Sequence, residues 1–172
     1  MFAAIYLPNF YLQAAVRHHG DLRDQPIALI DDQETKAVII EVNQSAAAAG
    51  VTHGMTSSQG LARCMNLVVK TRARSQETVV ERIVHEFAYT LTPYIEATAP
   101  GVCTVRFTNN KDLSRKVTLV IEQLRGCELI AQAGIAHTAD ASLLAAHLAN
   151  PVLEINDAKE FFASLPIEAL AR

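Results

Sequence analysis

From Ser75 onward the chain switches repeatedly between two hydrophobic periods, and that alternation limits the folds open to it. Val79, Val80, Ile83, Val84, Phe87 and Leu91 recur at three- and four-residue spacing, which places them on one face of a helix that starts at Ser75 and ends before Pro93. Residues 95–97 and 102–107 then read as two strands around Pro100-Gly101, which makes a hairpin. A second amphipathic helix over 112–125 carries Leu113, Val117, Val120, Ile121 and Leu124 and stops at Gly126. Residues 129–136 are strand-like, 138–149 helical and 151–155 a last strand, after which Asn156 can cap a short helix ending before Pro166. Prefixed by the apolar run 2–7, closed at Pro8-Asn9, this order predicts a mixed sheet backed by two helices, an α+β, ferredoxin-like architecture.

Residues from about 10 to 75 interrupt that plan as a small α/β insertion. A helix over 10–19 places Phe10 with Ala14 and Tyr11 with Ala15, and Gly20 offers a C-cap. The β-branched runs 26–30 and 37–42 form a strand pair, and 44–49 is an Ala-rich helix stopped by Gly50. Thr56 and Gln59 have capping-box spacing ahead of a helix carrying Leu61, Ala62 and Met65. Residues 67–69 are a further strand, and 70–74 read as a solvated basic connector. The chain stops at Arg172, just inside what reads as a new helix, and is expected to belong to something longer.

Composition narrows the classes. In 172 residues, 50% are hydrophobic and 19% charged, which supplies a real core and excludes intrinsic disorder. A formal net charge of −3 opposes a freestanding nucleic-acid binder, which normally carries a basic surplus. No apolar run approaches the roughly 18–20 residues of a membrane span. The first positive charge, Arg17, lies beyond the N-terminal apolar stretch, so no leader is expected and the protein is read as cytoplasmic. Cys64, Cys103 and Cys127 are far apart and read as small buried hydrophobes.

No phosphate-binding glycine loop, zinc-protease helix or nucleophile elbow occurs. His18 and His19 are adjacent, so on a helix they diverge by about 100°, and His53, His85, His137 and His147 have no Cys or carboxylate at familiar ligand spacing. Neither a metal nor a cofactor is expected. Lys70, Arg72 and Arg74 share one segment and are candidates for weak phosphate or DNA contact, without the interleaved aromatics of a true nucleic-acid footprint.

Several stretches together resemble one family. AIYLPNFYLQAAV is similar to the first strand and helix of Y-family (UmuC-like) translesion DNA polymerases, and SAAAAGVTHGMTSSQGLARCMNLVV to their fingers. LTPYIEATAPGVCTVRFT resembles the family's second acidic motif, AGIAHTADASLLAAHLANP its Gly-Ile-Ala segment, and FFASLPIEAL its approach to the thumb. The resemblance implies a palm-like domain from 1–9 plus 75–166, a fingers-like insertion over 10–74, and the start of a thumb at 167–172.

The departures shape the expected function. The family's phosphoryl transfer uses two Mg²⁺ ions about 3.5–4 Å apart, and hard cations need carboxylate oxygens. The positions that match its three carboxylates are Tyr6, Gly101 and Val102. Its fingers Tyr and Arg fall at Gln44 and Ala47, and its palm Lys near Ala139. Phe10 and Tyr11 stand where the family has an aromatic pair, one member of which excludes ribonucleotides, and core packing is the role expected of them here. The resemblance therefore implies an ImuB-type, non-catalytic adaptor in damage-induced mutagenesis, not an enzyme. Its implied partners are a RecA-like ImuA protein, the sliding clamp and an error-prone C-family polymerase, with DNA bound weakly or through regions outside this chain. The alternatives are an active polymerase with an aberrant site and an unrelated ferredoxin-like binding domain.

Overall fold

The computed structural model describes residues 1–22, 24–33, 37–109 and 111–165. In chain order the elements are β1 (Phe2–Tyr6), α1 (Phe10–Val16), β2 (Ile27–Ile30), β3 (Ile39–Val42), α2 (Gln44–Ala48), α3 (Ser57–Arg63), β4 (Val68–Thr71) and α4 (Arg74–Tyr89). They continue as β5 (Ile95–Ala99), β6 (Val102–Arg106), α5 (Leu113–Gly126), β7 (Gln132–Ala136), α6 (Ala139–Leu148), β8 (Val152–Glu154) and α7 (Ala158–Ser164). Two compact units result, one built from Met1–Pro8 and Glu81–Arg172, the other from Asn9–Val80.

The first unit holds a five-stranded sheet in the order β5-β6-β1-β7-β8. β1 runs antiparallel to both β6 and β7, and β8 is added parallel to β7. Its first four strands therefore follow the split βαββαβ order expected from the alternating periods. Ala3, Ile5, Cys103, Val105, Ala133 and Ile135 share one face by strand alternation, and all are fully buried. α5, whose Val117, Val120, Ile121 and Leu124 are buried, packs on β7 and β8.

The other face carries Ala4 opposite Gly134, and α6 lies there almost in backbone contact. A Cβ on Gly134 would fall 2.2 Å from the Ser142 carbonyl oxygen and 2.3 Å from the Ala146 nitrogen. Small residues on the helix complete the fit, since Ala141, Ser142, Ala145 and Ala146 are all fully buried.

Three boundaries differ from the sequence reading, each for a local reason. β7 does not begin at 129: α5 ends at Gly126 as expected, but Glu128 then takes the left-handed conformation (φ 63°), and the Leu129 N–H returns to the Leu124 carbonyl at 3.0 Å. That turn uses 129–131, so β7 starts only at Gln132. The cap of α7 is Asp157, whose carboxylate accepts from the Lys159 and Glu160 amides at 2.8 and 3.1 Å, in place of Asn156. α1 ends at Val16, and Gly20 opens a single 3₁₀ turn, Gly20–Leu22, instead of capping the helix.

The second unit has a three-stranded sheet in the order β3-β2-β4, antiparallel between β2 and β3 and parallel between β2 and β4. One core gathers Ala28, Ile39, Ala46, Val51, Cys64 and Leu67. A second gathers Leu12, Leu22, Ile27 and Leu29, with Tyr11, Ala15 and Val16 against it. The capping box is formed: Thr56 Oγ1 accepts from the Gln59 amide, and Gln59 Oε1 accepts from the Thr56 amide. The expected start of a thumb at 167–172 lies outside the described residues. Among the described residues, no helix is long and apolar enough to cross a membrane.

Candidate functional site

The end of the five-stranded sheet at which β1 stops brings three of the singled-out positions together. Tyr6 is the direct cross-strand partner of Val102, and the Leu7 amide donates to the Gly101 carbonyl at 2.9 Å. Gly101 sits at φ 72°, the left-handed region that the β5–β6 turn requires and that favours glycine. Val102 is buried, and the Tyr6 ring lies 4.1 Å from the His147 ring of α6 with planes tilted by 54°. An imidazole from α6 thus meets the phenol ring; sequence spacing gave no hint of it, because the two residues are 141 positions apart. Ala139 opens α6 behind the Thr138 cap, whose Oγ1 accepts from the Ala141 amide at 3.3 Å.

Phenol, hydrogen and isopropyl groups offer no anionic oxygen at this end of the sheet. Glu96, the second residue of β5, pairs across to Thr104 and not to Val102. Among the described residues, no group of three or more His, Cys, Asp or Glu side chains is placed to hold a metal ion. Cys103 points into the core beside these positions, and burial pushes its thiol up to about 11, so it stays protonated and unreactive at neutral pH.

In the other unit the basic segment behaves unlike a solvated connector. Lys70 and Thr71 belong to β4. Arg72 turns inward: its Nε donates to Glu77 Oε1 at 2.9 Å, its second nitrogen to Glu77 Oε2 at 2.6 Å, and its third to Asp31 Oδ2 at 3.0 Å. Arg74 donates to both oxygens of Asp31 at 2.9 Å. The Arg72 guanidinium also lies 4.0 Å over the Tyr11 ring, and Phe10 meets Tyr11 edge-on at 5.2 Å between centroids. Both arginines are thus committed to carboxylates within their own unit.

α1 carries the aromatic pair but has no side-chain cap of its own, because Asn9 is left-handed at φ 48°. Its exposed amides are instead met from β3, where Glu41 Oε2 accepts from the Leu12 amide at 2.7 Å. Burial pushes the Glu41 carboxyl above its ordinary range, against the opposing amides of Leu12 and Tyr11. Gln44 and Ala47 lie on α2, one turn of helix capped by Asn43.

The family model of the impB/mucB/samB family matches residues 5–147. The chain belongs to this family. Curated relatives named DNA polymerase IV match over nearly all of the chain: that of Citrobacter koseri is 26% identical over 92% of it, and that of Photorhabdus laumondii 24% identical over 94%. The chain spans about half the length of these relatives, 48% in each case. Among solved structures, an insertion ternary complex of Dbh DNA polymerase superposes with a TM-score of 0.86 at 13% identity, covering 98% of this chain and 53% of that one. DinB from Sulfolobus solfataricus gives 0.83 at 14% identity over the same shares. The two sheets and seven helices therefore match the palm and fingers region of Y-family polymerases.

One expectation is corrected by these comparisons. The absence of carboxylates at Tyr6, Gly101 and Val102 led to the expectation that the protein is not an enzyme. Its relatives are named DNA polymerase IV and its structural neighbours are Y-family DNA polymerases, which are enzymes, and that exclusion does not stand against them.

Proposed function

We propose that this member of the family serves translesion DNA synthesis as an ImuB-type adaptor, its palm and fingers holding and presenting other components. On this reading Tyr6, Gly101 and Val102 stand at the family's carboxylate positions, Gln44, Ala47 and Ala139 at its triphosphate-contact positions, and Phe10 and Tyr11 at its aromatic pair. The observation that carries the reading is the convergence of Tyr6, Gly101 and Val102 at one end of the sheet, with the His147 ring against Tyr6. Seating two Mg²⁺ ions there would need oxygen anions that these side chains do not supply. The partners it would bring together are a RecA-like ImuA protein, the sliding clamp and an error-prone C-family polymerase. Arg72 and Arg74 are occupied by Asp31 and Glu77, so in this unit any DNA contact by the basic segment falls to Lys70.

A second reading is favoured by the names of the curated relatives: the chain is part of a DNA-directed DNA polymerase that extends primers itself. Primer extension past a template lesion separates the two, using the longest natural protein that contains this chain, with Mg²⁺ and dNTPs. The adaptor reading expects bypass only when the C-family polymerase is added, and an increase over that polymerase alone. Extension by the protein without any added polymerase establishes the second reading and overturns the first.

A further inference from the structure

The five-stranded sheet terminates at β5, whose outer edge has no strand beside it among the described residues. Residues 96–99 of that strand are exposed, and the register slips between Ala97 and Ala99. At the end of this edge a cavity of about 360 Å³ opens between the strand turn and α4, lined by Glu81, Val84, His85, Ala97, Ala99 and Pro100 among others. Glu81 and His85 are one helical turn apart, so both face the cavity. Neither side chain makes a hydrogen bond or ion pair among the described residues, whereas the neighbouring Arg82 and Glu86 point at one another at 3.9 Å.

We propose that the β5 edge and this cavity form a docking site for an extended segment of a partner protein that carries a lysine or arginine. Three observations set the chemistry. A free strand edge offers a row of amides and carbonyls that an added strand can pair with, and such pairing supplies affinity without sequence preference. The cavity walls beside it are alanine, valine and proline, suited to the aliphatic stem of a long basic side chain. The anionic group available at its rim is the unpaired Glu81 carboxylate, and the charged side chain on the strand itself is the exposed Glu96, so the edge selects a cationic segment over an acidic one. Gly101 and Val102 also line the cavity, so it borders the sheet end described above, whereas Tyr6 and the Arg72 cluster lie outside its lining.

The test titrates the isotope-labelled 172-residue chain with two capped pentapeptides, Val-Lys-Val-Arg-Val and Val-Glu-Val-Glu-Val, and follows backbone amide shifts and hydrogen exchange. With the basic peptide, amides of 95–99 and of the 81–85 turn are expected to shift together, and exchange along β5 to slow. Glu81→Gln, nearly isosteric and removing no existing bond, is expected to weaken that peptide about tenfold, the loss of one charge-assisted contact. Glu86→Gln, on the same helix outside the cavity lining, leaves binding unchanged. Equal binding of the acidic peptide, shifts confined to other elements, no shift at millimolar peptide, or an unaltered affinity in Glu81→Gln would each overturn the proposal.

Discussion

Replacing Gly134 with alanine tests how closely α6 is seated on the sheet. The added Cβ would lie 2.2 Å from the Ser142 carbonyl oxygen, 2.3 Å from the Ala146 nitrogen and 2.5 Å from the Ala145 Cβ. Two of those three atoms are backbone, so no side-chain rotation relieves the clash, and the helix must withdraw by about 1 Å to reach ordinary contact. A gap of 0.5–1 Å already forfeits about a quarter to a half of each dispersion contact. The contacts at stake are those of Ala141, Ser142, Ala145 and Ala146, all fully buried. Overpacking of this kind costs about 1–3 kcal/mol, and a purely backbone clash belongs at the upper end, about 3 kcal/mol. In a chain of this size that lowers the thermal midpoint by roughly 6–12 °C. Gly126→Ala is the matched control, because nothing lies within 4 Å of its added Cβ and the residue is the last of α5, where alanine gains at most about 0.5–1 kcal/mol over glycine. Calorimetry of both variants should therefore give shifts of opposite sign. The near-ultraviolet signal of Tyr6, whose ring contacts that of His147 on the displaced helix, should change only in Gly134→Ala. A Gly134→Ala protein within about 0.5 kcal/mol of the parent would refute the close seating.

Two further predictions concern the Arg72 cluster and its neighbour Glu41. Arg72→Met strands the Glu77 carboxylate, which is 10% exposed, and should cost about 3 kcal/mol in urea denaturation, whereas Arg74→Met, whose side chain is 45% exposed, should cost a fraction of that; equal losses would contradict the inward role of Arg72. The pH dependence has two opposed parts. The Gln33 amide, with Arg74 and Arg72 acting against the opposing effect of burial, holds the Asp31 carboxyl below its ordinary range. The stability it contributes is present above the unfolded value near ~3.9 and is lost as pH falls through the folded one. Burial raises Glu41, so the folded state holds the extra proton between about 4.3 and its folded value, and stability rises as pH falls through that window. Urea midpoints from pH 7 to pH 3 should show that Glu41→Gln removes the gain and Asp31→Asn the later loss; a Glu41→Gln curve parallel to the parent's would refute the assignment.

The fold was legible wherever burial alone decides. The Val79 to Leu91 stripe, the α5 stripe and the β-branched runs each bury one face, and a sequence period reports that directly. The α+β order and the split βαββαβ arrangement follow from those periods. Boundaries were less legible because they depend on single residues that take unusual backbone angles for tertiary reasons. Glu128 adopts φ 63° although a glycine stands two positions before it, since Leu129 must turn back to be buried at the end of α5. No local propensity favours a glutamate there over Gly126.

That Tyr6, Gly101 and Val102 lie together follows from strand periods, whereas the polar partners in the other unit do not, and the same physics explains both. Tyr6, Gly101 and Val102 converge because strand register fixes them: β1 and β6 pair residue by residue, so an alignment of apolar strands brings these positions together. Hydrogen-bonding partners have no such period. Asp31 lies 41 positions from Arg72, and Glu41 lies 29 from Leu12, yet both close to 3.0 Å or less. A charge run such as Lys70 to Arg74 therefore reads as a solvated stretch until the carboxylates that neutralise it are placed around it. Once they are, the cost of burying a guanidinium demands the arrangement seen, with Arg72 satisfied by two acids and one ring. The sequence of a buried ion cluster cannot be told from that of a surface one by composition; only the fold that brings strand ends together distinguishes them.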